Sequence, residues 1–264
     1  MTTVADVADF LARFAPPGLA EDWDNVGLLL GRETAQVESI LTCLTLTPDV
    51  AQEAIAAKVQ LIVSHHPILF RPVQQLTSST IEGDMILDLV AAGVSVHSPH
   101  TSYDSAAEGI NEQLARAFGL SNIDVLRPRD DGDDATQGAG RFGDFETTIS
   151  LDNLVSRVKQ TLGISALQLV GSPDDRIDRL GIACGAAAEF LTDAHRLGCQ
   201  ALLTGEARFH DCLAARSLGM AIILPGHYAS ERPAVEQLAE VLGRQFPELL
   251  VRASENESDP ISWG

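Results

Sequence analysis

Stretches with apolar residues every three or four positions alternate along the chain with short runs of aliphatic and β-branched residues, the two periods of helices and strands. The helical period predicts helices over about 4–14, 48–58, 82–92, 108–118, 152–162, 187–197, 207–218 and 231–245. Strands are predicted near 26–30, 38–46, 60–64, 94–97, 144–150, 166–170, 178–183, 200–203 and 220–224. This makes an α/β chain, and the uneven strand spacing admits a mixed sheet as readily as a parallel one.

The pattern also repeats. "LTLTPDVAQEAIAAKVQLIVSHH" (44–66) and "GIACGAAAEFLTDAHRLGCQALLTGE" (181–206) share one plan: strand, Ala-rich helix, break, then an apolar strand ending in polar residues. Gln60 matches Gln200, and the strand ends "VSHH" and "LTGE" coincide. Downstream, "AAGVSVHSPHT" corresponds to "SLGMAIILPGH", each with Gly before a strand and Pro after it. Two related α/β units are implied.

Active sites of α/β folds collect at the carboxyl ends of strands. The repeat places there His65 and His66, His100 and Asp104 from the first unit, and Glu206, His227 and Glu231 from the second. Imidazoles suit Zn, Fe or Mn, and a carboxylate can bridge two cations, so the mixture points to two divalent ions. Adjacent histidines face opposite ways on a strand, but a turn before Pro67 can aim both inward. Ser230 is expected to cap a helix with Glu231 in its first turn, where the dipole favours an anion, making Glu231 the candidate bridge. Each residue also has a plainer reading. A lone His-His pair could be an exposed turn or a satisfied core pair, and His97 and His195 are read as structural. His210, in "RFHDC", is ambiguous between structure and orienting a ligand or substrate.

Composition narrows the function classes. With 45% hydrophobic and 21% charged residues, the 264-residue chain can bury a substantial core. Its 18 Lys and Arg against 37 Asp and Glu give −19, which repels phosphate backbones and anionic lipids. Nucleic acid and membrane are therefore not expected as partners. No apolar run approaches bilayer length, and "MTTVADVADFLARF" carries acids where a signal peptide would be basic, so a cytoplasmic protein is expected. Cys43, Cys184, Cys199 and Cys212 lack CxxC spacing and read as buried free thiols. "RDDGDDATQGAG" (129–140) reads as a solvated acidic loop. In "EDWDNVGLLLG" (21–31), Trp23 and Val26 are expected to pack, with Asp24 and Asn25 forming the turn and Asn25 a candidate neighbour of the site. Trp263 is expected to dock on a neighbour.

Six ordered motifs, "EDWDNVGLLLG", "LIVSHHPILFRP", "HTSYD" followed by "GINEQLA", "GAGRFGDF", "LLTGEARFHD" and "GHYASE", carry a resemblance over nearly the whole chain. The sequence resembles the Nif-three-like dinuclear metal-centre family, whose members are labelled GTP cyclohydrolase 1 type 2 homologues. The resemblance implies two intertwined α/β lobes with mixed sheets, built from a duplicated strand–helix unit: residues 1–125 with 220–264, and 126–219, effectively one compact unit. It implies a ring-shaped homohexamer and a two-metal site opening to an internal cavity. By motif, His65 and His227 are implied as ligands of one ion and His66 and Asp104 of the other. Glu231 is the implied bridge and catalytic residue, with His100 close by. Three positions depart from the pattern: Thr45 and Glu206 stand where Asp is usual, and Phe209 where His is frequent.

Two cations about 3.5–4 Å apart bring the pKa of water toward neutrality, so hydrolysis is the expected reaction class. The family label implies purine ring opening in GTP, with a nucleotide as the small-molecule substrate, although no Walker-type loop is present. The alternative is a non-catalytic metal-binding scaffold or regulatory interaction protein assembled as the hexameric ring.

Overall fold

A computed structural model describes residues 1–128 and 136–262. In chain order the elements are α1 (Val4–Phe14), β1 (Gly27–Leu30), β2 (Ser39–Cys43), α2 (Pro48–Ala56), β3 (Leu61–Ser64), α3 (Ile81–Ala92), β4 (Ser95–Ser98), α4 (His100–Ser105), α5 (Ile110–Ala117), β5 (Ser121–Pro128) and β6 (Gly138–Ser150). There follow α6 (Leu151–Leu162), β7 (Gln168–Val170), β8 (Arg176–Ala183), α7 (Leu191–Arg196), β9 (Ala201–Thr204), α8 (Phe209–Leu218), β10 (Ala221–Leu224), α9 (His227–Glu231), α10 (Pro233–Gln245) and β11 (Leu250–Ala253). The α/β class and the mixed sheets stand as the sequence predicts.

The chain divides into two compact units, Met1–Tyr103 with Ala234–Pro260, and a second built on Asp104–Pro233. The boundaries therefore differ from the expected 125 and 219, and hydrogen bonding explains the difference. β5 pairs with β6, and β10 pairs parallel to β9, which draws both strands into the second unit.

In the first unit a five-stranded sheet runs β1-β4-β3-β2-β11, parallel except for the antiparallel edge strand β1. All four residues of β3 and of β4 are buried, the continuous burial expected of a sheet covered on both faces. Pro48 opens α2 after an N-cap from Thr47, and Thr80 caps α3 through the Gly83 amide, so both helices start where their sequences provide an acceptor. Leu41, Ile62, Met85, Leu89 and Val96 form part of one core under these helices.

In the second unit a six-stranded sheet runs β5-β6-β8-β9-β10-β7, with β8, β9 and β10 parallel. The duplication read from sequence is visible strand by strand: β2-α2-β3-α3-β4 has the plan of β8-α7-β9-α8-β10, and each set ends against an antiparallel strand, β1 or β7. α3 and α8 close on left-handed glycines, Gly93 at φ 73° and Gly219 at φ 68°, before the strand that follows.

Gln60 and Gln200 do the same work in the two sheets. Gln60 Oε1 accepts from the Glu38 and Ser39 amides at 3.0 and 2.9 Å, while Nε2 donates to Lys58 O at 2.6 Å. Gln200 Oε1 accepts from the Asp178 and Arg179 amides at 3.0 and 2.8 Å, with Nε2 donating to Gly198 O at 2.8 Å. Each side chain ties the start of one strand to the preceding strand and fixes register.

Several elements lie outside the sequence expectation. β5 and β11 were not foreseen, and β6 starts at Gly138, so the end of the expected acidic loop is strand. Residues 129–135 and Trp263 lie outside the described residues. Among the described residues no helix is long and apolar enough to cross a membrane, and the four cysteines are free, with Cys43, Cys184 and Cys199 buried.

Candidate metal centre

In the first unit the ladder between β2 and β3 continues one step past the strand. The His65 and His66 amides donate to Cys43 O and Leu44 O at 2.9 and 2.8 Å, while Ser98 Oγ and Ser64 Oγ donate to their carbonyls, each at 2.6 Å. With both peptides pinned, the two rings lie side by side, centroids 5.1 Å apart and planes 52° apart. His65 is buried. The His66 ring meets Thr45 Oγ1 at 2.7 Å through Nδ1. The tautomer that donates from Nδ1 carries its lone pair on Nε2, the form that binds a metal. Thr45, a departure from the family pattern, thus has a positioning contact.

His100 opens α4 at φ 27°, a conformation rare outside glycine. Its Nδ1 lies 2.7 Å from Asp24 Oδ1, and its centroid is 5.2 Å from that of His65 and 5.6 Å from that of His66. Asp24 is the residue that sequence reasoning missed. Its fully buried carboxylate accepts from the Thr101 amide and hydroxyl and from the Asn25 amide. Burial alone would raise its pKa, but His100, Thr101 and Asn25 outweigh burial and hold it down at about 2. The carboxylate therefore stays charged and holds the strained start of α4. Asn25 turns away to Leu69 O, donating through Nδ2 at 3.0 Å. Trp23, expected to pack, is 60% exposed beside Phe70 and His100, because Asp24 takes the inward place in the loop. One ring nitrogen from each of His65, His66 and His100 lies within 4.8 Å of the others. Metal–nitrogen bonds run about 2.0–2.1 Å, so this triad has roughly the spacing of a site that tightens around an ion.

In the second unit His227 opens α9 and Glu231 ends it. His227 Nε2 is 3.1 Å from Glu231 Oε2, and Nδ1 is 2.8 Å from Glu206 Oε1. Burial would lower the His227 pKa, but Glu231 first and Glu206 second outweigh it and raise it to about 9. The expected helix start at Ser230 is corrected. Ser230 lies inside α9, donating to His227 O at 2.8 Å and accepting from the Gly185 amide at 3.2 Å, so Glu231 ends α9 and lies two residues ahead of α10 instead of in a first turn. The five-residue turn ends before Pro233 opens α10, and burial among Gly185 and its neighbours holds Glu231 instead. Gly185 stands at φ 67°, and a Cβ there would lie 2.3 Å from Glu231 Oε1 and 3.4 Å from His227 Nε2.

Asp104, in the last turn of α4, accepts from the Cys184 thiol at 3.2 Å through Oδ1. Asn111 ties the pair together, donating to Asp104 O and accepting the Cys184 amide. Burial, then the charges of Asp104 and Glu231, push the thiol well above its ordinary pKa, so Cys184 acts as a donor and not as a thiolate ligand. His210 sits exposed on the first turn of α8 against Phe209, away from these contacts. His97 is buried in β4 opposite Leu28, and His195 is exposed on α7.

The donors fit a divalent metal: three converging imidazoles in one unit, and in the other an imidazole with the buried Glu231 and the half-buried Asp104. The space at Gly185 is one that any side chain would close. A chain from Clostridium acetobutylicum named "GTP cyclohydrolase 1 type 2 homolog" is 31% identical over 98% of both chains. One from Helicobacter pylori named "GTP cyclohydrolase 1 type 2" is 31% identical over 92% of both. The crystal structure of Staphylococcus aureus protein SA1388 superposes with a TM-score of 0.91, at 26% identity over 99% of both chains. The profile of the Duf34/NIF3 (NGG1p interacting factor 3) family matches residues 2–260, and the chain belongs to that family.

Proposed function

We propose that this chain binds two divalent ions, zinc, iron or manganese, and is a metal-dependent hydrolase of the GTP cyclohydrolase type. The observation that carries the reading is the gathering of His65, His66 and His100 at one strand end, with the His66 and His100 rings each oriented through Nδ1. The family pattern assigns His65 and His227 to one ion, His66 and Asp104 to the other, and Glu231 to both. Such ions supply Lewis acidity that brings water into reach of neutral-pH attack. The chain's part is to orient and to balance charge. Thr45, Asp24 and Glu206 aim the imidazoles of His66, His100 and His227, and the buried Glu231 carboxylate offsets positive charge. In ring opening, one water adds to C8 of guanine and a C8–N bond breaks to leave a formamide, and a second water hydrolyses that formamide to formate and the free amine. The names of the relatives support that substrate. A homohexamer in the cytoplasm is part of the same proposal.

The test is metal content per chain of protein purified without a chelating tag, alongside formate release from GTP. About two ions in the parent, fewer in His66→Ala, and formate lost in Glu231→Gln support the reading. Metal without turnover makes the chain a binding scaffold, and less than one ion in both parent and His66→Ala refutes the site.

A further inference from the structure

Beside His66 the first unit holds a cavity of about 370 Å³, within the range of roughly 300–1,000 Å³ usual for small-ligand sites. Its walls are largely apolar: Leu46 comes from the segment before α2, Pro48 from the start of α2, Ile68 from the segment after β3, and Met85 from α3. Thr45, the hydroxyl that orients His66, stands on the same wall as that ring. The one carboxylate on the cavity lining is that of Glu82, an exposed residue in the first turn of α3.

Glu82 is anchored by one hydrogen bond. Its Oε1 accepts the Leu69 amide at 3.1 Å, and Leu69 sits at φ 53°, a strained value for a branched residue. Asn25 holds the other side of Leu69 through its carbonyl. A carboxylate accepts several hydrogen bonds, so anchoring Leu69 leaves acceptor capacity for a ligand. The pose suits a donor and repels an anion, as does the net charge of −19. Apolar walls with one acidic acceptor suit a heterocycle whose edge presents adjacent N–H groups. Guanine has that edge, in N1–H and the 2-amino group. Adenine and hypoxanthine do not present the pair.

We propose that this cavity is the ring-binding subsite, and that Glu82 is the residue that selects an amino-bearing purine such as guanine. What then happens to the ring rests on the metal-dependent reading above, but its binding does not. Phosphates of a nucleotide would point out of the cavity, away from Glu82.

The experiment titrates the full-length protein calorimetrically with guanosine, inosine and adenosine, and measures metal content on the same samples. A hydrogen bond to a charged group contributes about 1.5–3 kcal/mol, so guanosine should bind about ten- to hundredfold more tightly than inosine, which lacks the 2-amino group. Glu82→Gln retains an oxygen for the Leu69 amide but replaces an acceptor by an amide donor. It should weaken guanosine at least about tenfold and leave adenosine unchanged. Ile81→Trp, at a rim position 78% exposed and so harmless to folding, should weaken all three by filling the cavity. Absence of nucleoside binding, equal affinities for the three, or full guanosine affinity in Glu82→Gln overturns the proposal. A guanosine preference without bound metal sustains it while refuting the metal reading; metal without a preference does the reverse.

Discussion

Replacing Gly185 by alanine separates the backbone from the site, because the fold supplies its own control. Gly185 and Gly163 share φ 67°, but a Cβ at Gly163 meets nothing within 4 Å, whereas at Gly185 it lies 2.3 Å from Glu231 Oε1. Both alanines carry the left-handed penalty of about 1–2 kcal/mol. Gly163→Ala should therefore lose about that much stability and keep its metal affinity. Gly185→Ala must in addition move the Glu231 carboxylate by at least about 0.7 Å, from 2.3 to 3.0 Å, since contacts under 3.0 Å do not persist. Displacing a ligand's support typically costs ten- to hundredfold in metal affinity, about 1.4–2.7 kcal/mol. Chelator competition reads the affinity and urea unfolding reads the stability. Equal metal affinity in the two variants would refute the assignment of Glu231 as a ligand.

Three further outcomes follow from the geometry. Asp24→Asn should weaken metal binding about tenfold or more, by loosening the His100 ring, without preventing folding; unchanged affinity counts against His100 as a neighbour of the ions. Arg141 is 1% exposed, with Nε on Glu112 and its terminal nitrogens on the carbonyls of Gly138, Gly140, Ala106 and Thr136. Arg141→Met should cost about 3–5 kcal/mol in urea unfolding, and Arg141→Lys should rescue little of it, because an ammonium cannot reproduce the fork. His97, whose burial lowers its pKa from 6.5 to about 4, takes up a proton in the unfolded chain before it does so in the folded one. Its contribution is complete above pH 6.5 and is lost as pH falls toward 4, on the order of 3 kcal/mol; His97→Gln should flatten that part of the stability profile, and an unchanged slope contradicts it.

The strands that lead to His65, His66 and Glu206 were legible because "LIVS" and "ALLT" are unbroken apolar runs, and burial on both faces leaves that trace. The grouping of His65, His66 and His100 followed from repeat and strand-end logic. α4 and α9 were not legible: helices of six and five residues are too short for a 3.6-residue period to emerge. That is why Glu231 was placed at the wrong end of its helix. Asp24 sits 76 residues from His100, and no spacing rule connects a buried carboxylate to a ring so far along the chain. The only signal was a charged residue beside an aromatic in "EDWDN", which turn chemistry also explains. Cys184 was correctly read as a buried thiol, but its service to Asp104 depends on Asn111 closing the contact. The hairpin of β5 and β6 hid behind "GAG", glycines that read as loop although Gly140 takes φ 66° within a strand.

The glutamine brackets have a consequence for misfolding. Gln60 and Gln200 recognise only main-chain amides, so either would satisfy the strand meant for the other, and local hydrogen bonding is blind to a swapped pairing. The choice is left to side-chain volume. Ala201 sits in register with Ala221 and Leu180, while Leu61, at the corresponding place, faces Ser95 and Ile40. Leu61 in the place of Ala201 would force three extra carbons into a fully buried row, an overpacking of about 1–3 kcal/mol. Size at that position disfavours two otherwise similar strands trading partners while the chain folds.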